Sequence, residues 1–159
     1  MTNMKVDICG VEFKNPVIAA SGTFGFGREY GEYFDLSRLG GISTTGITYD
    51  ERPGNTGIRI FETPSGMINS IGLENPGVEA FIEDEVPFLE NLQTRILVNV
   101  SGNTIEEYLK IIEKIEDKNL DMIELNISCP NVKEGGMAFG IRCESAYEIV
   151  KKAKEKTKK

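Results

Sequence analysis

The sequence predicts an α/β protein built on parallel strands. Short apolar runs alternate four times with stretches of helical spacing, and each run ends in small or polar residues: Ser21, Thr45 with Gly46, Asn99, and Asn126. This layout suits a (β/α)8 barrel, whose sites sit at the C-terminal ends of the strands, and it equally suits a doubly wound sheet. No GxGxxG turn follows the first strand, which counts against dinucleotide binding.

Val6 and Ile8 alternate with Lys5 and Asp7, and Val11 and Phe13 with Glu12 and Lys14, about Gly10, which predicts a small hairpin. The apolar run 16–20 is the expected first core strand, buried on both faces. A helix over 28–34 leads to a second buried run, 41–47, whose small and β-branched residues leave room for a ligand. Residues 50–76 are rich in Gly, Pro and Asn, with apolar pairs Ile58/Ile60 and Met67/Ile68; they read as a loop and hairpin excursion long enough to need a function. Helical spacing returns over 78–92 through Val78, Phe81, Ile82, Phe88, Leu89 and Leu92, bent near Pro87. Residues 95–100 form the third strand. Thr104 to Glu107 reads as a capping box opening a helix with Ile105, Tyr108, Leu109, Ile112 and Ile115 on one face. Residues 121–126 form the fourth strand, and 144–158 a final helix with a basic end.

Composition narrows the chemistry. A chain of 159 residues, 40% of them hydrophobic, can bury a core. The net charge of −7 opposes nucleic-acid binding, and residues 151–159 hold six Lys and one Glu, so residues 1–150 carry 12 basic and 24 acidic groups. The basic end reads as a solvated helix terminus stabilised by the macrodipole. With no histidine, acid–base work falls to Cys, Asp, Glu, Lys or Tyr, and most zinc sites are excluded; no metal site is expected. Three cysteines without a CxxC pair fit a reducing cytoplasm, and neither a signal peptide nor a membrane span is expected.

Cys129 follows the fourth strand, ahead of a polar stretch containing Gly135, Gly136 and Gly140 that can open and close over a ligand. A thiol there can serve as a base where the bound complex favours its thiolate. Cys9 and Cys143 read as small buried apolar residues.

The words ASGTFGFG (20–27), MINSIGLENPG (67–77), LVNVSG (97–102) and NISCPNVKEGGMAFG (126–140), in that order, resemble dihydroorotate dehydrogenase of class 1. The portion VKEGGMAFG resembles class 1B in particular. The resemblance implies a TIM barrel, of which residues 1–159 form a single partial domain: the N-terminal half, with a hairpin and the first four β/α units. It implies FMN-dependent oxidation of dihydroorotate to orotate in pyrimidine biosynthesis, with Cys129 taking the C5 proton while hydride passes from C6 to flavin N5. By position, Ser21, Gly22, Thr45, Gly46, Asn99 and Asn126 are expected at the flavin. Thr45, Asn69, Ser70, Ile71, Gly72, Leu73, Asn126 and Asn131 are expected at the pyrimidine and its carboxylate. Class 1B chains form the homodimeric core of a heterotetramer, with a second subunit that carries FAD and an iron–sulfur cluster and passes electrons to NAD.

The chain departs from the family at Thr45, which stands where the family has a lysine, and hydroxyl chemistry supplies no charge there. The missing barrel half leads to the expectation that the chain is inactive alone and exposes the edges of its first and fourth core strands. Two other readings stay open: a non-catalytic half-barrel, and a flavoenzyme acting on another dihydropyrimidine.

Overall fold

The structure is a computed structural model that describes residues 2–128 and 137–159. Strands β1 (Val6–Ile8) and β2 (Val11–Phe13) pair antiparallel about a two-residue turn in which Cys9 (φ 53°) and Gly10 (φ 85°) are both left-handed, the geometry that matches the twist of a tight hairpin. Phe13 is fully buried, its ring against Gly41, where an added Cβ would meet Phe13 Cε1 at 3.0 Å. Lys14 donates to the Ser37 carbonyl at 2.6 Å and Arg95 Nε to the Glu12 carbonyl at 2.9 Å. The hairpin thereby closes off the N-terminal ends of the core strands.

Those strands are β3 (Ile18–Ala19), β4 (Gly41–Ser43), β7 (Arg95–Val100) and β8 (Met122–Leu125). They form one sheet in the order β3-β4-β7-β8, every pair parallel. Spatial order follows chain order, as in a barrel wound in one direction; a doubly wound sheet would reverse direction at a switch point. The alternative left open by pattern is thus decided by topology. Between β4 and β7 lies the predicted excursion, with hairpin β5 (Ile60–Thr63) and β6 (Gly66–Asn69).

Side chains alternate across β7. Ile96, Val98 and Val100 are buried in the core formed with the helices, and Leu97 and Asn99 face the other way. The core's helical half comes from α5 (Ile105–Ile115), whose Tyr108, Ile111, Ile112 and Ile115 are wholly buried, and from Ile149 of α7 (Cys143–Lys156). Burying one such isoleucine contributes about 1.5–3 kcal/mol. Thr104 Oγ1 caps α5 by accepting the Glu107 N–H at 3.3 Å; the return arm of the expected capping box lands one residue earlier, with Glu107 accepting the Asn103 N–H at 2.7 Å.

Several expectations are corrected. The first core strand is not buried on both faces: Ile18 and Ala19 are half-buried and Val17 is 53% exposed, because β3 has a neighbour on one side only. After α1 (Ser21–Phe24), a helical turn that the sequence pattern does not signal, the helix predicted over 28–34 is confined to α2 (Arg28–Gly31). The 78–92 helix is a chain of three segments: α3 (Gly77–Ala80), a π-helical turn (Phe81–Glu85) and α4 (Val86–Leu89). The wide turn ends two residues before Pro87, which has no N–H to give an α-helical ladder. A further turn, α6 (Met137–Gly140), precedes α7. Cys9 and Cys143 are exposed, not buried: one sits at the tip of a hairpin and the other at the first residue of a helix.

Beyond α7 the chain returns to α5. Glu116 accepts hydrogen bonds from Thr157 Oγ1 and from the Lys158 N–H at 3.1 Å, and these hold its carboxyl below the usual glutamate range.

Candidate active site

The C-terminal ends of the core strands open into a cleft of about 490 Å³, within the range of small-molecule sites. Ser21 and Gly22 follow β3, Thr45 and Gly46 follow β4, and Asn126 follows β8. The remaining wall is Asn69, Ser70, Ile71, Gly72, Leu73 and Glu74, the return of the β5–β6 hairpin. All of these except Glu74 are site residues expected from the sequence, and the structure brings them together. Asn99 stands one layer back: it is 2% exposed and does not line the cleft, because its side chain is engaged by Glu124 and Asn126. Cys129 and Asn131 lie outside the described residues.

Gly46 is required by crowding. A Cβ there would stand 2.8 Å from Asn99 Oδ1, 3.0 Å from Leu73 Cδ1 and 3.1 Å from Ser101 Oγ. Leu73 is itself unusual, a non-glycine residue at φ 58° following Gly72 at φ 84°. That left-handed conformation costs about 1–2 kcal/mol, and surrounding bonds hold it. Asn75 donates to the Leu73 carbonyl at 2.9 Å. Asn55 donates its N–H to the Ile71 carbonyl at 2.9 Å and its side-chain amide to the Ser70 carbonyl at 3.0 Å.

Asn75 is a residue that sequence reasoning misses. It is 5% exposed, and its Oδ1 accepts from the Thr48 N–H (3.1 Å), the Thr48 hydroxyl (3.1 Å) and the Gly77 N–H (3.0 Å). It therefore ties the cleft loop to the segment that leaves β4. The available signal is the Asn75-Pro76-Gly77 word, a turn signature inside one of the family-like stretches.

Asn126 is fixed at both backbone groups, its N–H donating to the Val100 carbonyl (2.8 Å) and its carbonyl accepting from the Tyr108 hydroxyl (2.6 Å). Only its side chain remains for a ligand. Amides, hydroxyls and glycines dominate the wall, with Glu74 the charged residue among the described lining residues. Such a set fits the polar edges of flat heterocycles, which need both donors and acceptors. Among the described residues no cluster of His, Cys, Asp and Glu could hold a metal, and no helix is long and apolar enough to cross a membrane.

A family model for dihydroorotate dehydrogenase matches residues 3–159. The chain belongs to the dihydroorotate dehydrogenase family. It is 63% identical over 150 residues to the catalytic subunit of dihydroorotate dehydrogenase B (NAD(+)) of Petrotoga mobilis, covering 94% of this chain and 50% of that protein. It is 52% identical over 157 residues to the protein of that name from Thermoanaerobacter pseudethanolicus, covering 99% of this chain and 52% of the relative. The chain thus spans about half the length of these curated relatives. In three dimensions it resembles DHODH of Eimeria tenella, crystallised in complex with ferulenol, with a TM-score of 0.75 at 21% identity over 97% of this chain and 44% of the other. That likeness concerns the fold: the parallel sheet in chain order is part of the dihydroorotate dehydrogenase barrel.

Proposed function

We propose that this chain carries the catalytic face of a class 1B dihydroorotate dehydrogenase, which oxidises dihydroorotate to orotate in the cytoplasm. One observation carries the reading: the cleft at the strand ends is walled by Asn69 to Leu73 and by Asn126, residues that lie inside the words resembling the family. Ser21, Gly22, Gly46 and Asn126 would hold the ring of FMN, which when bound supplies the hydride acceptor. The donors and acceptors of the wall suit that ring. Asn69, Ser70 and Asn126, with Asn131, would orient the pyrimidine edge and its carboxylate. Cys129 would take the proton from C5 of the substrate.

The relatives are named as catalytic subunits. By the same reading, this protein forms a homodimeric core and delivers its electrons to a second subunit with FAD and an iron–sulfur cluster, and from there to NAD.

Thr45 favours one variant of the reading, a flavoenzyme for a different dihydropyrimidine, since it lines the cleft without adding positive charge. Substituting Thr45→Lys in the holoenzyme tests this. Restored charge should raise turnover of dihydroorotate, because it faces a carboxylate and the negative charge that gathers on reduction. A fall in that turnover, with another dihydropyrimidine still oxidised, would overturn the substrate assignment.

A further inference from the structure

We infer that Glu124 is a positioning residue, which sets through Asn99 the end of the Asn126 amide offered to the cleft. This rests on the reading of Asn126 as a ligand-binding residue. Glu124 and Asn99 are direct partners in the parallel β7–β8 register, so their side chains leave the same face of the sheet. Asn99 Nδ2 donates to Glu124 Oε1, and Asn126 Nδ2 donates to Asn99 Oδ1 at 3.2 Å. Asn126 lines the cleft; Asn99 is 2% exposed and does not.

The direction of this relay follows from chemistry. An ionised carboxylate can only accept, so the Asn99 atom facing Glu124 is the NH2 group, and its oxygen takes the other branch of the planar amide. That oxygen needs a donor, which obliges Asn126 to turn its own NH2 inward. Asn126 Oδ1 then takes the opposite branch, and a ligand N–H is preferred over a ligand lone pair at that point. The Asn99 main chain is held as well, its N–H donating to Thr44 Oγ1 at 3.2 Å, so the relay turns at the side-chain torsions alone. A carboxylate two residues removed from the cleft wall thus specifies polarity without touching the ligand.

Reversing the relay tests it. Asn126→Asp places an acceptor against Asn99 Oδ1, which cannot turn while Glu124 holds the amide, so the denaturation midpoint should fall. Adding Glu124→Gln lets the Asn99 amide flip: the glutamine introduced beside it donates to its oxygen, and its own NH2 donates to the carboxylate introduced at the cleft wall. The double variant should therefore be more stable than Asn126→Asp alone. The same comparison in an Asn99→Ala background should show no such recovery. Additive losses, or a recovery that persists without Asn99 and so reflects plain charge repulsion, would overturn the relay. A second arm uses orotate as the probe on the holoenzyme: Glu124→Met alone, which removes the acceptor that fixes the Asn99 amide, should weaken its binding by about tenfold, the scale of one polarised hydrogen bond, and unchanged affinity would count against the relay. Failure of the unsubstituted protein to bind orotate would sink the functional reading, and the stability comparison, which needs no ligand, would still decide the relay.

Discussion

Tyr108, wholly buried on α5, donates its phenolic O–H to the backbone carbonyl of Asn126 at 2.6 Å. A helix on the outer layer therefore holds the strand end that presents Asn126 to the cleft. Replacing Tyr108 with Phe keeps the ring, including its edge-on contact with Phe139 at 5.9 Å between centroids. It leaves a carbonyl without this partner, and the expected loss is about 1–3 kcal/mol, read by urea denaturation. A loss of orotate affinity larger than that of remote variants of equal stability would show that the bond positions as well as stabilises.

Gly46→Ala should damage the cleft more than the fold. The new methyl would stand 2.8 Å from Asn99 Oδ1 and 3.0 Å from Leu73 Cδ1, so the loop carrying Leu73 or the Asn99 amide must move. Overpacking of this kind costs about 1–3 kcal/mol. Calorimetry should show a lowered melting temperature together with loss of ligand binding, and full retention of binding would mean that the cleft loop is free to shift.

The Asn75 side chain makes four hydrogen bonds, three accepted and one donated. Asn75→Ala should cost about 2–4 kcal/mol, since buried partners on Thr48 and Gly77 lose their acceptor together. Asn75→Asp keeps the acceptor and loses the donor to Leu73, so its cost should be smaller. Equal losses in the two variants would place the value of Asn75 in the Leu73 contact alone.

The link from Glu116 to the chain end predicts an acid-sensitive tail. Hydrogen bonds from Thr157 and Lys158 lower the Glu116 pKa in the folded state relative to its ordinary 4.5. Its contribution is therefore fully present above about pH 4.5 and is lost as pH falls through the lower folded value. Glu116→Gln should flatten this part of the acid limb of a stability profile while leaving the alkaline limb unchanged. Exposure keeps the effect small, so the readout is amide exchange at residues 157–159, with identical acid limbs as the contrary result.

The parts of the fold governed by local pattern are legible in the sequence. The β1–β2 hairpin follows from alternation about Gly10, α5 from its cap and apolar face, and β7 from the apolar run of Ile96, Leu97 and Val98. Strand order is not legible, because alternation is identical in a barrel and a doubly wound sheet; only the parallel pairing of consecutive strands separates them. The burial of β3 is overestimated because composition cannot tell an edge strand from a central one. The π-helical turn before Pro87 escapes notice, since a bend is encoded by the proline but its register is not. At the cleft, motif words give most of the lining, whereas Asn75 and Glu124 act through partners distant in sequence, Thr48 at 27 positions and Asn99 at 25. Asn99, expected at the flavin from the family resemblance, stands behind the cleft wall with its side chain engaged by Glu124 and Asn126.

The most direct test of the functional reading is anaerobic mixing of the FMN-loaded holoenzyme with dihydroorotate, followed by flavin absorbance. Bleaching accompanied by release of orotate is the expected result. With Cys129→Ser, orotate affinity should change little while reduction slows by about 100-fold or more, since a hydroxyl is a far weaker base than a thiolate. Absence of bleaching, or equal rates in the two proteins, would contradict the account.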